Sequence, residues 1–259
     1  MHGYAVSPLF LSWLRCGTER EPGQKYLYLE NERLEEAETQ LAQEKNDLLV
    51  VLSPSHALIR IIKDSLSGIY TVRGQWNEAE KLQVEVMETR KQKLGADHPD
   101  TLASMADLAS TYRNQGRWDE AEKLEVEVME TSKQKLGTDH PDTLTSMANL
   151  ASTYWKQGRW DEAETLEVEV TKTRKQKLGT DHPSTLTSMD NLASIYEKQG
   201  RWDEAETLEV EKLGTDHPST LTSMANLAST YWKQGRWDEA EKLDIEVTKT
   251  RKQKLGANL

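Results

Sequence analysis

The stretch STYWKQGRWDEAE at residues 152–164 decides the fold, because nearly the same letters return elsewhere in the chain. The close copies are STYRNQGRWDEAE at 110–122, SIYEKQGRWDEAE at 194–206 and STYWKQGRWDEAE at 229–241. The turn glycines Gly116, Gly158 and Gly200 are 42 residues apart, and Gly235 follows after 35. A fixed period of this length is typical of repeat proteins, in which each repeat is one supersecondary unit. We therefore expect an array of stacked units.

The pattern inside each unit predicts two α-helices. In 140–181, apolar residues recur at three- and four-residue steps from Leu144 to Tyr154, which predicts an amphipathic helix over about 143–157. Gly158 suits its end, and a second helix is predicted over about 161–177. The predicted fold class is all-α, built from antiparallel helix pairs. Five units follow one another over 56–258, at 56–97, 98–139, 140–181, 182–216 and 217–258, of which the fourth is shortened to 35 residues.

The register continues upstream in weaker form. We interpret 14–55 as a degenerate unit in which Glu32 replaces the turn glycine, and 1–13 as an N-terminal segment without predicted order. Leucines spaced seven residues apart also match a leucine zipper, namely Leu27, Leu34, Leu41 and Leu48. The second seam of such a zipper would include Glu30 and Glu44, and no basic region precedes it, which favours the degenerate repeat.

Composition limits the class of partner. The formal net charge of −11 disfavours binding to a phosphate backbone, so nucleic acid is not expected. The apolar stretch 5–14 is too short to span a bilayer, so no membrane partner is expected either. The single Cys16 can form no internal disulfide, which agrees with a reducing compartment. We expect a cytoplasmic protein.

No catalytic or metal-binding pattern stands out in the sequence. It contains no phosphate-binding glycine loop, no nucleophile elbow, no H-E-x-x-H pair and no cluster of cysteine and histidine. Histidines recur once per unit at a predicted helix start, too far apart to share one metal ion, so we expect them to cap helices. They are His56, His98, His140, His182 and His217. We predict no enzymatic activity, no cofactor and no metal.

The segment NLASTYWKQGRWDEAE at 149–164 resembles the tetratricopeptide repeat, because it carries that family's leucine, small residue, tyrosine, turn glycine, aromatic and alanine in order. The 42-residue unit, with KLGTDHPDTLTSMANLA at 135–151 joining successive pairs, resembles the kinesin-light-chain subtype. The near-identity of the units is similar to the arrays of fungal nucleotide-binding STAND receptors. The resemblance implies a right-handed superhelical α-solenoid whose concave channel binds a protein or peptide segment.

Two departures from the family pattern bear on packing and assembly. Glu125, Glu167 and Glu209 stand where the family often packs an aromatic residue, so the family's packing does not carry over to these positions. The sequence ends at Leu259 without the polar capping helix that repeat arrays usually need for solubility. We therefore expect either a piece of a larger protein or self-association through uncapped ends.

The predicted partner-binding site lies on the outer stripe of each first helix, which lines the concave channel in the family that the chain resembles. An asparagine recurs there at Asn149, Asn191 and Asn226, and an amide can donate to and accept from a peptide bond at once. The place after the tyrosine varies and twice holds a tryptophan, a good interface anchor. The candidate residues are Asp107, Arg113, Asn149, Trp155, Lys156, Asp190, Asn191, Glu197, Lys198, Asn226, Trp232 and Lys233.

These residues favour a non-enzymatic scaffold that binds a protein or peptide segment. Such a scaffold fits both the sensor region of a larger receptor and a kinesin-light-chain-like adaptor, because fold does not fix function. The alternative is a structural array that assembles with other copies of itself. For the variable positions themselves, the alternative is an unconstrained surface that drifts after duplication of the units.

Overall fold

The computed structural model describes residues 24–213 and 220–256, and every regular element within these ranges is an α-helix. The predicted all-α solenoid of helix pairs is confirmed. The helices fall into two compact units, Met1–Gln75 and Trp76–Leu259. The first holds α1 (Gln24–Leu49) and α2 (Ala57–Val72); the second holds α3 (Trp76–Leu94), α4 (Pro99–Asn114), α5 (Trp118–Leu136), α6 (Pro141–Gln157), α7 (Trp160–Leu178), α8 (Pro183–Lys198), α9 (Trp202–Leu213), α10 (Thr220–Gln234) and α11 (Trp237–Gly256).

In the first unit α1 packs on α2. Helix α2 buries Ile59, Ile62 and Leu66 on one face, at the three- and four-residue spacing of an amphipathic helix. Helix α1 runs through Glu32 without a turn, so 24–49 is one helix and not a pair. A single acidic replacement of the turn glycine leaves nothing to stop the helix there. Residues 1–23 lie outside the described residues, so the degenerate unit at 14–55 stays a prediction.

Helix starts and ends in the second unit follow the local chemistry of the repeat. Helix α6 begins at Pro141, whose fixed φ and missing N–H suit a first turn. The helix ends at Gly158, which adopts the left-handed conformation with φ 78° that a side chain disfavours. Helix α7 starts two residues later, at Trp160, and carries acidic residues in its first turn and lysines in its last. The predicted helices at 143–157 and 161–177 therefore lie within two residues of the observed ones.

In the four units whose histidine is described, this histidine caps the first helix, as the sequence predicts. The Nδ1 atom of His140 accepts a hydrogen bond from the backbone N–H of Asp142 at 3.2 Å. This satisfies one of the donors that the first turn of a helix leaves unpaired. Equivalent caps form at His56, His98 and His182, with distances of 3.2, 3.1 and 3.1 Å, whereas His217 lies outside the described residues.

The core of the second unit continues from one helix pair to the next. One cluster of buried side chains joins Met129 of α5, Met147 and Leu150 of α6, and Val170 of α7. Because three successive helices contribute to it, no pair buries its apolar face alone. Small residues allow the close approach, since Ala163 has no exposed surface where α7 meets its neighbours.

An arginine–glutamate ladder joins consecutive units at the turn between first and second helices. The guanidinium of Arg159 donates to both carboxylate oxygens of Glu122 in the preceding unit, at 2.8 and 2.9 Å. It also donates to Glu162 of its own unit at 3.0 Å and covers the ring of Tyr154 at 4.1 Å. Burial alone would raise the pKa of Glu122, but the hydrogen bonds from Arg159 and Gln157 outweigh it and lower this pKa. The same arrangement recurs around Arg117, Arg201 and Arg236.

The ladder explains why the letters QGRWDEAE are kept, and it crosses the shortened unit intact. Arg236 donates to Glu206 at 2.6 Å, although 30 residues separate them instead of the 37 between Arg159 and Glu122. Helix α9 is described over 12 residues, whereas α7 has 19. The residues missing from the shortened unit lie beyond Glu206, so the start of the second helix keeps its contacts.

Candidate functional site on the first helices

The predicted partner-binding residues occupy equivalent positions on α4, α6, α8 and α10, a surface that we call the first-helix face. Residues spaced three, four and seven apart lie on one side of a helix, so the corresponding positions of the four first helices lie on the same side of each helix. Exposed are Asp107, Lys156, Asn191, Lys198, Trp232 and Lys233, and half-buried are Arg113, Asn149, Trp155, Asp190, Glu197 and Asn226. The structure thus gathers the candidates in one register, and binding by them stays a prediction.

Two clefts on the first-helix face bring several of these residues together. A cleft of about 240 Å³ lies between α6 and α8 and is lined by Trp155, Lys156 and Asn191. The buried Glu167 of α7 also lines it, although the sequence did not mark that residue as part of the site. A second cleft of about 410 Å³ lies between α4 and α6 and includes Arg113 and Lys156. Lys156 therefore stands between the two clefts.

At Arg113 and Glu197, the variable residue after the tyrosine contacts the first helix of the next unit. The Nη1 atom of Arg113 donates to the backbone oxygen of Asn149 at 3.3 Å, and its Nε atom lies 3.4 Å from Oε1 of Glu125. Glu197 accepts a hydrogen bond from the hydroxyl of Thr230 at 2.9 Å and forms an ion pair with Lys233. Because both side chains reach the following first helix, they have a packing role that an unconstrained surface position would not have.

The two variable tryptophans have different surroundings. Trp155 is half-buried and packs against Ala151 and Ala163, together with Ile195 of the next first helix. The ammonium groups of two lysines lie over its ring, at 5.0 Å for Lys156 and 5.5 Å for Lys198. These distances are within the range of cation–π attraction. Trp155 thus lies half-buried at the junction between α6 and α8.

Trp232 is the exposed one of the pair. It keeps 52% of its surface accessible, and its ring meets the edge of the Trp237 ring with centroids 4.5 Å apart and planes at 69°. Such an edge-to-face pair fixes the indole without covering it. Trp232 therefore fits the predicted role of an aromatic anchor better than Trp155 does.

Sequence reasoning flagged the acidic residues of the second helices as a packing question but missed that they form a buried polar row. Glu125, Glu167 and Glu209 retain only 3%, 0% and 2% of their surface. The hydroxyl of Thr153 in the next first helix donates to Glu125. Burial raises the pKa of Glu125 to about 7, although that hydrogen bond and the charge of Arg113 act in the opposite direction. The sequence signal for this pairing is the threonine 28 residues after the glutamate. In a regular repeat, a fixed number of residues between two positions determines which side chains of successive units face each other.

Glu167 lacks both partners that Glu125 has. Ile195 occupies the place of the threonine, and Trp155 occupies the place of the arginine. Its Oε1 atom accepts from the amide of Asn191 at 3.2 Å, whereas Oε2 has no hydrogen-bond partner among the described residues. Burial raises the pKa of Glu167 to about 7 against the lowering effects of Asn191 and of the positive charge of Arg174. The cleft between α6 and α8 therefore contains a buried, half-satisfied carboxyl group.

Comparison with known families identifies the repeat. A model described as tetratricopeptide repeat matches residues 57–134 and 107–176, and a second model of the same description matches 185–219 and 220–258. The chain belongs to the tetratricopeptide repeat family. This confirms the resemblance drawn from the repeated stretch, and none of the curated proteins compared with the chain matches it.

Solved structures place this tetratricopeptide array near the kinesin light chains. A Podosopora anserina protein described as a kinesin light chain with nearly identical TPR-like repeats is 31% identical, with a TM-score of 0.69 over 74% of this chain and 94% of that one. BtubC (BKLC) from P. vanneervenii is 21% identical, with a TM-score of 0.71 over 86% and 92% of the two chains. The apo form of RapI is 11% identical, with a TM-score of 0.61 over 88% and 97%. The last two show likeness of fold.

Tetratricopeptide arrays are generally scaffolds for protein–protein interaction and generally lack enzymatic activity, and their stacked helix pairs create extended binding surfaces. Within 24–213 and 220–256 no three histidine, cysteine, aspartate or glutamate side chains come close enough together to hold a metal ion. None of the helices in the same ranges is long and apolar enough to cross a membrane.

Proposed function

We propose that this tetratricopeptide array is a non-enzymatic scaffold that holds an extended protein segment along its first-helix face. The observation that carries the proposal is the repeated row of polar side chains on α6, α8 and α10. Amides stand at Asn149, Asn191 and Asn226, and each is followed seven residues later by a lysine, two turns along the same face. A row of amides can pair with successive peptide groups of a segment whatever its side chains are.

Partner choice rests on the features that differ between units. The exposed Trp232 supplies an aromatic anchor at α10, and the cleft between α6 and α8 supplies a recess of about 240 Å³. Aromatic anchors and recesses carry most of the binding energy in protein interfaces. A scaffold of this kind serves equally as a cargo adaptor of the kinesin-light-chain kind or as the sensor region of a larger receptor. A cytoplasmic location, which rests on the single Cys16, belongs to the same proposal.

Selection of peptides on the full chain tests the proposal. Random 12-residue peptides displayed on phage are selected against the whole protein, and the dissociation constant of the strongest peptide is measured by fluorescence anisotropy. Trp232→Ala and Asn226→Ala should each weaken binding at least tenfold, which corresponds to about 1.4 kcal/mol. Trp160→Ala is the matched control, because this tryptophan starts a second helix and is 37% exposed.

Circular dichroism of each variant separates loss of binding from loss of helix. Trp232→Ala is preferred to Trp155→Ala, because removal of the half-buried Trp155 would also leave a cavity against Ile195. If both face variants bind within twofold of the unmodified chain, or if they lose no more than Trp160→Ala, the first-helix face is not the binding surface.

A self-assembling array remains the second candidate, and exposed apolar side chains on α10 and α11 favour it. Trp232, Trp237 and Ile245 are 52%, 54% and 61% exposed. Exposed apolar patches commonly mark contact surfaces. Light scattering over a hundredfold concentration range distinguishes the candidates, because self-assembly makes the mass rise with concentration and a scaffold for other partners keeps it constant.

A further inference from the structure

Two residues that line the cleft between α6 and α8, Trp155 and Glu167, each carry a buried polar atom that has no hydrogen-bond partner among the described residues. The indole Nε1–H of Trp155 is a donor, and Oε2 of Glu167 is an acceptor when the carboxyl is ionised. Both residues line the cleft, and Glu167 has no exposed surface. A buried polar group without a partner costs about 1–3 kcal/mol, so a ligand that satisfies both atoms recovers that cost.

We propose that this cleft is a subsite for a neutral primary carboxamide, such as the side chain of a glutamine or asparagine in the bound segment. The carbonyl oxygen of the amide accepts from Nε1 of Trp155, and its NH₂ group donates to Oε2 of Glu167. The subsite deepens the proposed function and rests on it for the identity of the ligand as part of a protein segment. The walls formed by Ala151 and Ile195 are apolar and contact the aliphatic stem of such a side chain.

Charged ligands fit the cleft less well. A carboxylate would meet the buried acid Glu167. A guanidinium or ammonium group would approach Lys156, which lines the cleft, and Lys198, whose ammonium lies over the same indole. A cation also offers only donors, so it leaves the donor of Trp155 unpaired. Burial raises the pKa of Glu167 to about 7, so near neutral pH the carboxyl is uncharged part of the time, which weakens its attraction for a cation.

The neighbouring unit shows why the subsite occurs at this junction. Between α4 and α6, Oε2 of Glu125 accepts from the hydroxyl of Thr153. Its Oε1 makes no hydrogen bond among the described residues but lies 3.4 Å from Nε of Arg113, which forms an ion pair with it. Between α6 and α8, Ile195 and Trp155 replace these two residues, and neither can supply a hydrogen bond to the acid in the same way. Two substitutions in otherwise near-identical units therefore convert an internally paired carboxyl into one that a ligand can pair.

A matched pair of variants tests the subsite with small probes. The indole ¹⁵N–¹H signal of Trp155 is assigned by its absence in Trp155→Phe and followed by NMR during titration of the full chain with propionamide, propionate or n-propylammonium. Propionamide should give a saturable shift at least fivefold larger than either charged probe. Ile195→Thr should reduce that shift at least fivefold, because a threonine there supplies the hydroxyl that Thr153 gives to Glu125. Ile195→Val is the control: valine has the shape of threonine without its hydroxyl, so this variant should keep the shift.

The proposal is overturned if the charged probes match propionamide, if no shift saturates, or if Ile195→Thr and Ile195→Val behave alike. Threonine stands at this place in other units as Thr111, Thr153 and Thr230, so the variant suits the fold. The outcome is independent of the peptide selection. If propionamide fails to bind but peptides are captured, only the subsite is excluded. If propionamide binds but no peptide is captured, only the proposed row of amides on the first-helix face is excluded.

Discussion

Replacement of Glu167 by glutamine should make the array less sensitive to rising pH. In the folded chain burial raises the pKa of this carboxyl from its ordinary 4.5 to about 7. The folded state therefore holds a proton that the unfolded state releases between those two values. Unfolding becomes easier as pH rises through this window, and the loss is complete above the folded pKa. At about 1.4 kcal/mol per pH unit, the ionised carboxyl costs about 3 kcal/mol at pH 8 relative to pH 4.5.

Urea unfolding followed by circular dichroism at pH 5 and pH 8 measures this cost. The unmodified chain should lose stability between the two values, and Glu167→Gln should lose about 3 kcal/mol less, since glutamine does not ionise but still accepts from Asn191. Glu125, whose pKa is also about 7, makes its own contribution in both chains. The control is Glu162→Gln on the same helix, where the hydrogen bond from Arg159 lowers the pKa, so stability is lost only at lower pH. Equal losses for the unmodified chain and Glu167→Gln would refute the buried-acid argument.

Three further predictions concern the repeat itself. A double-mutant cycle on Arg159→Ala and Glu122→Ala, measured by urea unfolding, should give a coupling energy of about 1 kcal/mol, because the partly exposed pair sits in a hydrogen-bonded network; a value near zero would contradict the ladder. Gly158→Ala should destabilise the chain by about 1 kcal/mol because its φ is 78°, whereas Gly68→Ala inside α2 should stabilise it by a similar amount in thermal unfolding. His140→Ala should cost about 1 kcal/mol through the lost cap and His140→Asn much less, so equal melting curves would exclude the cap.

The fold could be predicted from the sequence because the same residues mark the helix ends in successive units. Gly158 and Trp160 mark the end of one helix and the start of the next, and the apolar stripe from Leu144 to Tyr154 marks the buried face. Local chemistry repeated several times leaves few alternatives. Where the repeat had decayed, the same reasoning did not foresee that α1 passes through Glu32 as one helix. In this degenerate unit the spacing of the repeat is still recognisable, but the glycine that would end the first helix is lost.

The candidate site was predicted less completely, because facing side chains belong to different units. The register placed Trp155 and Trp232 at the same position, but whether an indole is covered depends on the next first helix, where Ile195 packs against Trp155. The pairing of Glu125 with Thr153 also crosses units, so its signal in the sequence is a hydroxyl 28 residues away and not a pattern within one helix. The composition of one unit describes its helices, whereas the site is formed at the junctions.

The arginine–glutamate ladder also bears on how such a chain changes in number of repeats. A unit contains one arginine that donates to a glutamate of the preceding unit, as Arg159 does, and one glutamate that accepts from the arginine of the following unit, as Glu164 does. A unit copied or removed as a whole through recombination between near-identical stretches leaves every remaining arginine with a glutamate to hold. The loss of seven residues ahead of Arg236 left its pairing with Glu206 in place as well. The ladder thus provides the same contact between any two consecutive units. The number of units can therefore change, while the residues at the variable junction positions diversify.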